Sequence, residues 1–215
     1  MHNRLGRQTV ALEKPAVILS HAAVGGKMES EGPLSSFFDH LCTDSFFGES
    51  SWEKAESTMQ KIAINLALEK GGLTAGDLHY VLAGDLLNQC IGSSFSLREL
   101  GIPFWGLYGA CSTMGESLAL GSMLVSGGFA ERAAAMTSSH YCTAERQYRM
   151  PVPYGSQRTP TAQWTATAAG CVILGREGSG PVVTTVTCGK IVDRGIKDAN
   201  NMGAAMAPVD VKLAP

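Results

Sequence analysis

Charge is scarce in this chain. Only 17% of its 215 residues are Asp, Glu, Lys or Arg, and the net charge is −2. That leaves no basic surface to suggest nucleic acid as a partner. No apolar run reaches the roughly 18 residues of a membrane span, and Glu13, Lys14 and Pro15 interrupt the N-terminus where a signal peptide would need its apolar core. Peripheral attachment to a membrane stays open. Cys42, Cys90, Cys111, Cys142, Cys171 and Cys188 include no C-x-x-C pair, which argues against a zinc site and a disulfide framework and for free thiols in a reducing compartment. There is no H-E-x-x-H and no G-x-S-x-G, so metalloprotease and hydrolase assignments have no support. Gly25-Gly26-Lys27 fails as a phosphate loop, because His21 stands where the first glycine should be and Met28 follows the lysine.

What is present is a chain 45% hydrophobic, able to bury a core as one domain. Residues 16–20 read as a buried strand, and 22–50 as a structured loop anchored by Phe37, Phe38, Phe46 and Phe47. Trp52, Ala55, Met59, Ile62 and Leu66 recur at helical spacing. Ser50 and Glu53 form a capping box before them, and Gly71-Gly72 stops the helix. Strands follow at 79–87, 104–108, 133–138, 168–174 and 182–187, with a short helix at 94–100. A second helix, at 111–125, has Glu116 as its only charge and is expected to be buried on several sides. This alternation predicts an α/β layer on a mixed sheet.

Cys111 opens that second helix. A thiol at a helix N-terminus can be a nucleophile favoured by the helix dipole, a lining residue of an anion pocket, or a packing residue. Asp85, ending an adjacent strand, should reach the same sheet edge, where ligands of α/β sheets collect. A carboxylate beside a thiol disfavours a thiolate, which speaks against catalysis. It suits a hard cation such as calcium, or else Asp85 caps the short helix after it. His140 reads as a pocket residue or as a hydrogen-bonded structural histidine, and the second is favoured.

Four segments carry a resemblance: Ala83-Gly84-Asp85-Leu86-Leu87-Asn88-Gln89, Phe104 to Thr113, Thr137 to His140 with Thr143 to Gln147, and Met202 to Pro208. They are similar to the stage V sporulation protein AD family of endospore-forming bacteria, within the thiolase superfamily. The likeness runs from about residue 7 to the end. It implies two similar α/β halves, of which residues 1–195 would be the N-terminal thiolase-like half: a mixed five-stranded sheet, flanking helices and a buried central helix after Cys111. Residues 196–215 would begin the linker to a second half that is cut off.

The resemblance further implies binding of dipicolinic acid with calcium and support of its uptake into the developing spore. The protein would be non-catalytic, without a cofactor, peripheral to the spore inner membrane, a homodimer, and a partner of other stage V sporulation uptake proteins. Dipicolinate is a planar ring with two carboxylates and calls for N–H donors, amides and cations. The candidate ligand-binding set is Asp85, Asn88, Cys111, Ser112, His140 and Arg146, with Asp85 also the candidate calcium ligand. Gln89 and Arg149 are further polar candidates, and Tyr148 and Tyr154 are candidate interface anchors. Two alternatives stand beside this. One is a condensing-type acyltransferase using coenzyme A with Cys111 as nucleophile, whose partner His and Asn would come from the other half. The other is a structural member of an uptake complex with a vestigial pocket.

Overall fold

The computed structural model describes residues 3–148, 165–198 and 204. In chain order the elements are β1 (Thr9–Gly25), α1 (Lys27–Ser30), β2 (His40–Leu41), α2 (Trp52–Gly71), β3 (Tyr80–Gly84), α3 (Ile91–Leu97), β4 (Phe104–Gly106), α4 (Thr113–Ser126), β5 (Arg132–Ser139), α5 (Tyr141–Tyr148), β6 (Ala168–Gly175) and β7 (Val182–Thr187). The sheet runs β2-β1-β6-β5-β3-β4, with β7 also paired to β1. β5, β3 and β4 are mutually parallel, while β6 is antiparallel to both β5 and β1. β1 therefore runs with β3, β4 and β5, and all four end at one edge.

The expected α/β layer on a mixed sheet is present, but the sheet has seven strands rather than five. Six of the seven are legible in the sequence, but β1 is longer than its pattern. The sequence pattern stops at Pro15, yet the strand begins at Thr9 and shifts register against β7 between Ala11 and Ala16. Lys14 and Pro15 fall inside that irregularity, where a missing N–H costs no ladder bond. The strand without a sequence signal is the two-residue β2, inside the stretch read as a loop. Of that loop's four phenylalanines only Phe47 is a core anchor. Phe37 is largely exposed, and Phe46 stacks on Trp52.

Strand alternation divides the core in two. Val81, Ala83, Ala134 and Met136 face α2, packing with Met59, Ile64 and Ala67. Leu82, Ala133 and Leu174 face α4, packing with Val125 and Leu118. α2 begins one residue later than the capping box implies. Ser51 is the N-cap and its Oγ accepts from the Lys54 N–H, whereas Ser50 Oγ takes the Lys54 ammonium. Gly72, left-handed at φ 63°, closes the helix. Ser51→Ala is expected to cost about 1 kcal/mol in urea unfolding, and Ser50→Ala much less.

α4 departs from its expected burial on several sides. Its buried residues, Thr113, Ser117, Gly121, Ser122 and Val125, form one stripe. Gly121 lets the helix approach the sheet, since a Cβ there would lie 3.0 Å from Leu174 Cδ1. Cys111, Gly115 and Met123 lie on the open side. Apolar composition marked the helix as one that packs closely; it does not say how many faces this chain covers. Among the described residues no helix is long and apolar enough to cross a membrane.

Candidate functional site at the strand-end edge

The ends of β1, β3, β4 and β5 deliver Lys27, Asp85, the 107–112 turn and His140 to one edge of the sheet. Asp85 continues the α2-facing alternation of β3 and is 1% exposed. Its Oδ1 accepts from Leu87 N at 2.9 Å, and its Oδ2 from Ser93 N at 2.7 Å and Ser93 Oγ at 2.6 Å. It thus caps α3, the capping role foreseen as one of its two readings. Three of its roughly four acceptor positions are filled by N–H and O–H donors, which leaves one on Oδ1. Among the described residues no group of three or more His, Cys, Asp or Glu could hold a metal.

The thiol beside Asp85 is Cys90, not Cys111. Cys90 stands at φ 55°, and its Sγ donates to Leu107 O at 3.0 Å. Burial, helped by the charge of Asp85, pushes this thiol up. Cys111 is exposed in the short turn Ala110–Ser112 that leads into α4, on the opposite face of the sheet from α2. It is not deep in the fold. Ser112 is also exposed, and its Oγ and N–H both close the turn onto Gly109 O. Asn88 is exposed in the turn Asn88–Cys90. The bond from Cys90 to Leu107 ties that turn to the one carrying Cys111.

His140 lies on the other side of the edge, 1% exposed. Its Nδ1 accepts from Cys142 N at 3.2 Å, so the proton sits on Nε2, which donates to Ser45 O at 2.8 Å. Burial lowers its pKa. This is the structural histidine that was favoured, and it also walls a cavity of about 170 Å³ with Lys27, Glu29, Ser45, Cys142 and Thr167. Glu29 Oε1 accepts from Thr167 N at 3.0 Å, and Gly26 N donates to Thr167 O at 2.7 Å. The segment set aside as a failed phosphate loop therefore forms a cavity wall. Arg146 belongs to α5, but its side chain, like those of Gln89 and Tyr148, lies outside the described residues, as do Arg149 and Tyr154.

Beneath this edge is a polar layer that the sequence pattern did not reveal. Glu56 and Gln60 of α2 are fully buried. Glu56 accepts from Ser138 Oγ at 2.8 Å and Thr143 Oγ1 at 2.9 Å. Burial, reinforced by the charge of Asp85, raises its pKa to about 7 against the pull of those hydroxyls. Gln60 Nε2 donates to Ser138 Oγ at 2.6 Å and Ser93 Oγ at 3.1 Å. The two serines pass their own hydrogens to Glu56 and Asp85, so one amide joins both carboxylates.

A mixed sheet with helices on both faces and a cysteine turn before a close-packed helix is the half-fold of the thiolase-like condensing enzymes. 3-Oxoacyl-[acyl-carrier-protein] synthase III from Aquifex aeolicus matches 76% of this chain and 55% of its own at TM-score 0.53 and 14% identity. The corresponding synthase III from Xanthomonas oryzae matches 78% and 57% at TM-score 0.50 and 15% identity. At such identities the likeness concerns the fold alone. The narrower assignment comes from sequence: Stage V sporulation protein AD matches residues 6–214, and the chain belongs to that family. The Bacillus subtilis (strain 168) member is 45% identical over 203 residues, 94% of this chain. The chain spans 60% of that relative's length.

Proposed function

We propose that this chain is a non-catalytic component that binds dipicolinic acid with calcium and supports its uptake into the developing spore, peripheral to the spore inner membrane. Family membership supports the sporulation role. Within these residues the non-catalytic part is supported by the state of His140, while the His and Asn of a condensing enzyme would come from the other half. Both ring nitrogens are committed, to Ser45 O and Cys142 N, and the ring sits on the α2 side of the sheet while Cys111 opens α4 on the other. Cys111 has no basic partner drawn from His140, the one histidine that follows it in the sequence.

In this reading Asn88, Cys111 and Ser112, exposed on two joined turns, meet the ligand, and Arg146 supplies the cation. Asp85 and His140 hold the edge from beneath. Calcium enters as cargo with the dicarboxylate. The edge strand β4 pairs only with β3 among the described residues, and Trp105 on it is 43% exposed. Two such edges joined about a twofold axis would make the homodimer. Other stage V sporulation uptake proteins would be its membrane partners.

Calorimetry with dipicolinate, with and without calcium, tests the proposal. Binding by the wild type that weakens at least tenfold in Cys111→Ala or Asn88→Ala is the expected result. No change in either variant removes this edge as the site. Reaction of Cys111 with iodoacetamide much faster than a free thiol, together with acyl transfer from acyl-coenzyme A, would favour the acyltransferase instead.

A further inference from the structure

The buried layer below the cavity has a place for one more hydrogen at Glu56. Ser138 Oγ accepts from Gln60 and gives its hydrogen to Glu56 Oε1, and Ser93 Oγ accepts from Gln60 and gives its hydrogen to Asp85. Each of these hydrogens has one destination. Thr143 is different. Its Oγ1 lies 2.9 Å from Glu56 Oε2 and 3.0 Å from the His140 carbonyl oxygen, and its one hydrogen can serve only one of them. With Glu56 ionised, the hydrogen belongs to Glu56. With Glu56 protonated, the new Oε2–H must donate to Thr143 Oγ1, and Thr143 turns its hydrogen to the His140 carbonyl. That carbonyl already accepts from Ala144 N at 2.9 Å and has a second lone pair free.

We propose that Glu56 is a proton-operated latch on the β5–α5 junction: one proton entering from solvent reverses the Glu56–Thr143 hydrogen bond and frees the Thr143 hydrogen for the His140 carbonyl. The junction carries His140, Tyr141 and Cys142, which wall the cavity, so proton uptake alters how firmly that wall is tied to α2. The inference goes beyond the ligand reading and does not depend on it. The raised pKa of Glu56 puts both states within reach near neutrality. The groups facing it support this. Asp85 at the end of β3 contributes negative charge. His140, at the junction, is held neutral by burial, and Cys171 of β6 is a fully buried thiol pushed up to about 12. α3 and the α2-facing part of β1, with Ser20, Ala22 and Val24, bring no ionisable side chain, and no cation among the described residues is paired to Glu56. On α5, Tyr141 and Cys142 are the described ionisable groups.

The test is an NMR titration of the whole chain from pH 5 to 9, following the Glu56 side-chain carboxyl carbon and the Ala144 amide. A shared midpoint for the two signals is expected. The Ala144 change should shrink at least fivefold in Glu56→Gln and in Thr143→Val, and persist in Thr143→Ser, which keeps the hydroxyl. An Ala144 amide that is silent while Glu56 titrates overturns the latch. So does an unchanged Ala144 titration in Thr143→Val, which would assign the signal to the His140 ring. The Val and Ser pair decides the matter even where Glu56→Gln does not fold.

Discussion

Glu56→Gln is expected to exceed the wild type in stability by about 3 kcal/mol at pH 8 and by less than about 1 kcal/mol at pH 5. The glutamine imitates the protonated acid, its carbonyl accepting from Ser138 and its amide donating to Thr143. The sign follows from linkage. Glu56 titrates at about 7 in the folded chain against an ordinary 4.5, so between these values the folded state binds a proton that the unfolded state lacks. Stability from this group is complete below 4.5, declines as pH rises toward 7, and is absent above it. Exposed carboxylates with lowered pKa, such as Asp77, work in the opposite direction, but they are common to both proteins and cancel in the difference. Urea unfolding at pH 5, 6.5 and 8 reads the effect. Parallel pH profiles would mean that the Ser138, Thr143 and His140 donors fully offset the cost of burying the charge.

The same residue shows where reading the sequence succeeds and where it stops. α2 was legible from Trp52, Ala55 and Met59, and α4 from its small apolar run, because helical periodicity is local. Glu56 and Gln60 sit between those apolar positions and look like solvent-facing residues. Their partners, Ser93, Ser138 and Thr143, lie 33 to 87 positions away, and no local pattern encodes such pairs. Asp85 was legible as the end of a strand at the ligand edge, and its capping role was one of two readings. The neighbouring thiol was assigned wrongly. A left-handed backbone at Cys90 turns that residue back toward Leu107, and a non-glycine residue gives no sequence signal of that conformation. Cys111 was placed correctly at the head of a helix, but which side of the sheet the helix lies on depends on how the strands cross.

Gly84→Ala is expected to destabilise the chain by more than about 3 kcal/mol, the largest loss foreseen for so small a change. The reason is space. A Cβ at Gly84 would stand 2.8 Å from Thr113 Cγ2 and 3.0 Å from the Leu107 carbonyl carbon, and closer still to the carbonyl oxygen. The obstacle is backbone held by two hydrogen bonds, and Gly84 itself is held by a third. Leu107 N donates to Ala83 O at 2.8 Å, Cys90 Sγ donates to Leu107 O, and Thr137 Oγ1 donates to Gly84 O at 3.0 Å. Relief would require the 107–112 turn to withdraw from β3, taking Cys111 and the head of α4 with it. Gly115→Ala is the contrasting case. Outside its own stretch of helix backbone no atom lies within 4 Å of its added carbon, so helix propensity should raise stability by up to about 1 kcal/mol. Urea unfolding of the two variants separates the explanations. A loss below about 1 kcal/mol at Gly84 would mean that the turn yields freely, and that the edge bearing Asn88, Cys111 and Ser112 is not held in place by the close approach of β3 and α4.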